Sequence, residues 1–282
     1  MMRLEPAVSP ELSHFWTLQC TAMTAYSNPN LVDSLTPALA ALTPSQIEWV
    51  AAVIRQFHLP HDFRRNDNSD FVTPTVLDML GDALRIHHAF SRQALSKDRF
   101  EFALERSLNR AGIRAELVAN RTNRGHDITI EGVPVSLKTQ ADASIKDDFL
   151  HISKFMELGK GVWDLPLLRD MFLQHMHSYE RIFQFRCLRP GPSPYLYELV
   201  EIPKALLWES VDSELVVQTR SRQTPKPGYG YVKDVDGKLK FALYFDGGTE
   251  RKLQIKKIKK DLCTVHATWQ FESTPFEQSI PG

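Results

Sequence analysis

The chain has 282 residues, of which 43% are hydrophobic, enough for one large domain or two modest ones with a real core. Lysine plus arginine and aspartate plus glutamate both total 34, which excludes a globally basic or acidic protein, so any nucleic-acid surface must come from local segregation of charge. Three widely separated cysteines, Cys20, Cys187 and Cys263, exclude a disulfide framework and a paired-cysteine metal knuckle, and no run of roughly 18 apolar residues or apolar signal core is present, so a soluble, unprocessed, cytoplasmic protein is expected.

Residues 1–95 read as a helical N-terminal region. "LTPSQIEWVAAVIRQFHL" and "VTPTVLDMLGDALRIHHAF" both open on Thr-Pro and then repeat apolar residues at helical spacing, with Val76, Met79, Leu80, Ala83, Leu84 and His87 on one face of the second. The polar segment "PHDFRRNDNSD" between them is expected to be an exposed loop. "SKDRFEFALERSLNRAG" carries a stripe of Phe100, Ala103, Leu104, Ser107, Leu108 and Ala111, and Gly112 stands where a glycine ends a helix.

Three strands are expected next: "IRAELVA", then after the loop "NRTNRG" the pair "HDITI" and "VPVSLKT" joined by the turn "EG". "DDFLHISKFMELG" and "LPLLRDMFLQHMHSYERIFQF" read as amphipathic helices, and "YLYELVEIP" returns to β alternation, completing a core over residues 96–212. Over 213–282, "GYGYVKD", "KLKFALYFD", "RKLQIKKI" and "CTVHATWQF" read as a C-terminal antiparallel β meander.

The chemistry concentrates in "GHDITIEGVPVSLKTQ". A turn at Glu131-Gly132 pairs the two strands antiparallel and brings Asp127 beside Lys138. Alternation sets Ser136 and Lys138 on one face, with Val135 and Leu137 on the other. A carboxylate and a lysine converging in this way can hold a divalent metal and orient a water beside a phosphodiester.

This stretch resembles the PD-(D/E)XK nuclease superfamily, from about Glu101 to Gln140. Asp127 matches the motif acid, Ser136-Leu137-Lys138 stands in place of the acid-x-Lys tripeptide, and His126 replaces the proline that often precedes the acid. The resemblance implies an α/β (α+β) fold with a restriction-endonuclease-like core, a mixed central sheet flanked by helices. It also implies Mg2+, a double-stranded DNA substrate and, for a palindromic target, a homodimer.

With Ser136 in place of the second acid, the resemblance to Ser-x-Lys restriction endonucleases implies a glutamate recruited from a neighbouring helix to the vacant place. Glu105 is placed first, then Glu101 on the same helix, then Glu157 on the helix expected after the hairpin. Both Glu101 and Glu105 also have Lys97, Arg106 or Arg110 within reach as simple ion-pair partners. The Leu137 or Thr139 carbonyl is a further metal-ligand candidate.

DNA contacts are expected from basic and amide side chains in loops and on one strand face: Arg64, Arg65, Asn66, Arg124, Gln140, Arg220, Arg222, Gln223, Lys226, Lys252 and Lys256. His175 and His177, two apart, point to different faces of a helix and do not make a metal pair. No GxSxG, Walker loop or HExxH occurs. The expected activity is that of a type II restriction endonuclease; a mismatch-repair or modification-dependent endonuclease, or a non-catalytic DNA-binding protein on a decayed nuclease fold, are the alternatives.

Overall fold

In the computed structural model the described residues are 29–119, 125–141, 145–191, 193–274 and 276. The chain divides into two compact units, residues 1–48 and 49–282. The first contains α1 (Pro29–Ala40) and the opening residues of α2 (Pro44–His58). There Thr43 and Gln46 form a reciprocal cap, the Gln46 side chain accepting from the Thr43 amide at 2.8 Å and the Thr43 hydroxyl from the Gln46 amide at 3.3 Å. The Thr-Pro signal thus marks a true helix start, as it does at α3 (Pro74–Phe90), where the Thr73 side chain accepts from the Val76 amide at 3.2 Å.

The second unit is built on a mixed seven-stranded sheet. Its strands are β1 (His61–Arg65), β2 (Ala115–Leu117), β3 (Ile128–Ile130), β4 (Val133–Gln140), β6 (Arg181–Arg189), β7 (Tyr195–Glu201) and β12 (Thr264–Phe271), in the order β1-β12-β7-β6-β4-β3-β2. Among the described residues only the β4–β6 pair is parallel; the chain crosses between them through β5 (Phe149–Glu157) and α5 (Leu165–His175). A five-stranded antiparallel sheet, β5-β11-β10-β9-β8, uses β8 (Glu214–Val217), β9 (Gly228–Lys233), β10 (Leu239–Asp246) and β11 (Lys252–Lys259).

Period-two alternation sorts the residues of β4 and β6 between two cores. Val135, Leu137, Phe183 and Phe185 face α3 and α4 (Lys97–Arg110), with Leu80, Leu84, Phe100, Leu104 and Trp269. Ile182 and Val200, on the opposite face, pack against α5 and the inner side of the five-stranded sheet, with Phe172, Phe241, Leu253 and Ile255. Helix α4 ends as its sequence dictates: Gly112 sits at φ +80°, and the Ile113 amide returns to the Leu108 carbonyl at 2.9 Å.

Three expected elements differ. "PHDFRRNDNSD" is not wholly a loop: its His61–Arg65 portion is β1, an edge strand paired with β12 from His61↔Phe271 to Arg65↔Ala267. Its polarity suits an edge, where one side of the strand meets water. Phe63 anchors it on α3 over Gly81, where an added Cβ would stand 2.1 Å from the ring.

"DDFLHISKFMELG" is strand β5 rather than a helix. A register shift against β11, from Ile255↔Ile152 to Leu253↔Met156, inserts extra residues and breaks the alternation, leaving Leu150, Ile152 and Phe155 buried at a spacing that imitates helical periodicity. "LPLLRDMFLQHMHSYERIFQF" is helical only to His175, continues as a 3-10 turn over Met176–Ser178, and then becomes β6. As a central strand covered on both faces, β6 is buried from Ile182 to Cys187, so no alternation marks it. "CTVHATWQF" leaves the meander to join the seven-stranded sheet.

Candidate active site

The β3–β4 hairpin turns at Glu131 and Gly132, both in the left-handed region at φ +49° and +82°, the two-residue geometry that matches strand twist. The Glu131 side chain accepts from the Arg114 amide, fixing the turn beside β2. Pairing runs Ile130↔Val133, Thr129↔Pro134 and Ile128↔Val135, and the Asp127 amide continues it to the Val135 carbonyl at 2.9 Å. Asp127 therefore arrives opposite Ser136, as the sequence demands.

Each oxygen of Asp127 has its own partners. Oδ2 accepts from the Leu137 amide at 2.6 Å and from Ser136 Oγ at 3.2 Å; Oδ1 accepts from Lys97 Nζ at 2.7 Å. Lys97, in the first turn of α4, also lies 3.2 Å from Glu101 Oε1, one turn on. One ammonium thus bridges two carboxylates that come from different elements.

Lys138 lies on the same face of β4 as Ser136, half-buried, with Nζ 5.6 Å from the centre of the Phe155 ring. Register pairs it with Gln184 of β6. Burial lowers the Lys138 pKa to about 8; Asp127 and Glu101 oppose that shift and Lys97 adds to it. Burial works against the charged form of Asp127, but Lys138, Lys97 and the hydrogen bonds from Lys97 and Leu137 outweigh it and hold the carboxyl below its usual range. Glu101 moves the other way, raised by burial and by Asp127 despite Lys97.

Glu105, placed first from sequence, does not join this cluster. Its Oε1 accepts from the Leu117 amide at 2.8 Å and ties α4 to β2. Four residues along a helix is an advance of about 6 Å, which carries Glu105 past the strand ends that Glu101 faces. Glu157 ends strand β5 rather than lying on a helix, is exposed, and meets Lys154 at 2.9 Å.

Two buried polar residues accompany the site, Gln184 by its register with Lys138 and Tyr179 by the charge of Asp127 that acts on it. Tyr179 is fully buried, its hydroxyl has no partner among the described residues, and its pKa is raised by burial and by the charge of Asp127. Gln184 is fully buried, donates to the His151 carbonyl at 2.7 Å and leaves Oε1 without a partner among the described residues. Both owe their place to the β5–β6 crossover, which local pattern does not reveal.

The expected DNA-contacting residues are dispersed. Arg64 and Arg65 stand on β1, not in a loop, beside Asp62 and Asp67. Asn66 donates to the Val265 carbonyl at 3.1 Å, and Gln223 to Asp246 at 3.2 Å, so both amides are engaged within the chain. Arg220 and Arg222 are exposed between β8 and β9, where Lys226 bonds the Ser221 carbonyl. Lys252 pairs with Glu250 at 2.9 Å, Lys256 lies 3.6 Å from the centre of the Tyr244 ring, and Gln140 is buried. Arg124 lies outside the described residues.

Fold and site together define an α/β protein with an acid-lysine centre suited to phosphodiester hydrolysis. Among known families, SmaI, described as a type II site-specific deoxyribonuclease, matches residues 35–271. The chain is also similar to the type II restriction enzyme SmaI of Serratia marcescens, with 48% identity over 229 residues covering 81% of this chain and 91% of that enzyme. No solved structure matches it. The chain belongs to the SmaI family of type II site-specific deoxyribonucleases, and of the alternatives open from sequence it is the restriction endonuclease.

Proposed function

We propose that the chain hydrolyses phosphodiester bonds at a specific duplex DNA sequence with Mg2+ as cofactor, through a PD-(D/E)XK-type centre in which Glu101 fills the place that Ser136 leaves open. The observation that carries this reading is the convergence of Asp127 and Glu101 on a single cation, Lys97 Nζ, at 2.7 and 3.2 Å. Two hard carboxylates are the donors Mg2+ takes, and a point already occupied by an ammonium suits a cation. Among the described residues no group of three or more His, Cys, Asp or Glu side chains competes as a metal centre.

In this reading Asp127 and Glu101 hold the metal, with the Leu137 carbonyl as a further ligand. When bound, Mg2+ supplies Lewis-acid stabilisation of charge on the phosphate oxygens. Ser136 Oγ and the Leu137 amide fix the rotamer of Asp127, so its orientation does not depend on the cation. Burial brings the Lys138 pKa down to about 8, so Nζ can take the proton of the attacking water as the water oxygen bonds to phosphorus and the bond from phosphorus to the leaving sugar oxygen breaks.

Purified protein with Mg2+ should cut plasmid DNA into discrete fragments, EDTA should stop the cutting, and Ca2+ should leave the DNA bound and intact. Undiminished cleavage in EDTA would reject the metal assignment. A palindromic target calls for a homodimer with two such centres. Sedimentation measures this directly, and a monomer at catalytic concentrations rules it out. A DNA substrate also fits a cytoplasmic location, where the free thiols Cys187 and Cys263 stay reduced.

A further inference from the structure

Beyond Lys138, strand β4 runs into a cleft of about 390 Å³ lined by Gln140, Lys146, Phe149, His151, Lys256 and Lys257. Gln140 is two residues past Lys138 and on the same face, a separation of about 7 Å along a strand. The cleft is therefore a neighbour of the cleavage centre, on the scale of one nucleotide of backbone.

Its two central lysines are consecutive, and consecutive residues of a regular strand point to opposite faces. A register shift between Ile255↔Ile152 and Ile258↔Leu150 inserts one extra residue in β11 at this point. Lys257 takes up the bulge with φ +55°, a strained conformation that a side-chain-bearing residue rarely adopts. Through it Lys256 and Lys257 both line the cleft.

The wall opposite is equally fixed. Arg186 is fully buried, paired with Glu198, and donates to the backbone carbonyls of Lys146 at 2.7 Å and Phe149 at 2.9 Å. Gln140 Oε1 accepts from the His151 amide at 3.4 Å. Among the described residues neither Lys256 nor Lys257 forms an ion pair, and the nearby Asp246 already accepts from Gln223, Gln254 and the Gly248 amide. The Lys256 ammonium rests against the Tyr244 ring, 3.6 Å from its centre, while Lys257 is held at the cleft by the strained bulge; with no carboxylate at ion-pair distance from either among the described residues, the pair calls for an anion from outside.

We propose that this cleft is a second phosphate subsite, which seats a phosphodiester flanking the scissile one, with Lys256 and Lys257 on the phosphate and Phe149 against the deoxyribose. The proposal rests on Asp127 and Lys138 being the cleavage centre, which fixes where the neighbouring nucleotide falls.

The test uses a duplex spanning the cut mapped on plasmid DNA, its binding followed by fluorescence anisotropy in Ca2+ over a range of salt. Lys257→Gly suits the positive φ and preserves the fold, and Lys256→Met keeps a side chain of similar length beside Tyr244 while removing the charge. The two substitutions together should lower the slope of log K against log salt by about 0.9, the share of one phosphate, and each alone by part of that. Duplexes carrying one neutral methylphosphonate at successive positions near the cut provide the second arm. At one position the methylphosphonate should weaken binding by the wild type but not by the double variant. Unchanged slopes, or additive losses at every position, would overturn the subsite. Lys138→Met serves as the reference: if it still cuts DNA the underlying centre is wrong, whereas if it is inactive and the slopes are unchanged the subsite alone falls.

Discussion

Replacing Lys138 with methionine should lower single-turnover cleavage in Mg2+ by about 10²- to 10⁴-fold, the range for losing a positioned proton acceptor, while binding of the target duplex in Ca2+ is retained. The pH profile is the sharper readout. Burial brings the Lys138 pKa to about 8, and the neutral amine is the form that accepts a proton. Wild-type cleavage should rise tenfold per pH unit below about 8 and level off above it, and this limb should be missing from the residual activity of the variant. Wild-type activity that stays flat from pH 6 to 9, with chemistry rate-limiting, would remove Lys138 from the role of base.

The same residue links pH to stability. An amine whose pKa is lower in the folded than in the unfolded chain leaves the unfolded state binding more protons between about 8 and the ordinary lysine value of 10.5. Folding stability from this group therefore increases as pH rises through that window and is least below it. Methionine abolishes the titration and keeps the aliphatic stem against Phe155, so the variant should lose this pH dependence in urea denaturation. Lys138 is thus a place where burial of an amine costs the fold stability below that window.

Much of the centre is legible in sequence because it is local. The turn at Glu131-Gly132 is marked by a glycine that tolerates positive φ, and it alone forces Asp127 opposite Ser136 and toward Lys138. The Thr-Pro helix starts and Gly112 are equally local, as is the alternation that sends Val135 and Leu137 to one core. What escapes is whatever depends on distant partners. β1 is a strand because β12, some 200 residues later, offers it an edge. β5 conceals its alternation behind a bulge, and β6 has none to show because both of its faces are covered. Lys257 belongs to this group too: regular alternation predicts one lysine on each face, and only the pairing with β5 reveals the extra residue.

The choice between Glu101 and Glu105 is the case with most at stake. Both lie on α4 one turn apart, both are acids near the hairpin, and helical periodicity cannot say which turn meets the strand ends. The structure separates them by their partners. Glu101 shares Lys97 with Asp127, whereas Glu105 caps the Leu117 amide. Burial raises the Glu101 pKa, so glutamine, which resembles the protonated carboxyl, should be accommodated without loss of fold.

Glu101→Gln should then leave the urea midpoint close to the wild type, reduce cleavage by about 10²-fold or more, and raise the Mg2+ concentration needed for the activity that remains. Glu105→Ala should do the reverse, keeping cleavage within a few-fold while losing about 1–3 kcal/mol of stability with the hydrogen bond to β2. Glu105→Gln, which can still accept from the Leu117 amide, should restore most of that loss. If Glu105→Gln is inactive and Glu101→Gln cuts normally, the metal site lies one helical turn away from where Lys97 marks it.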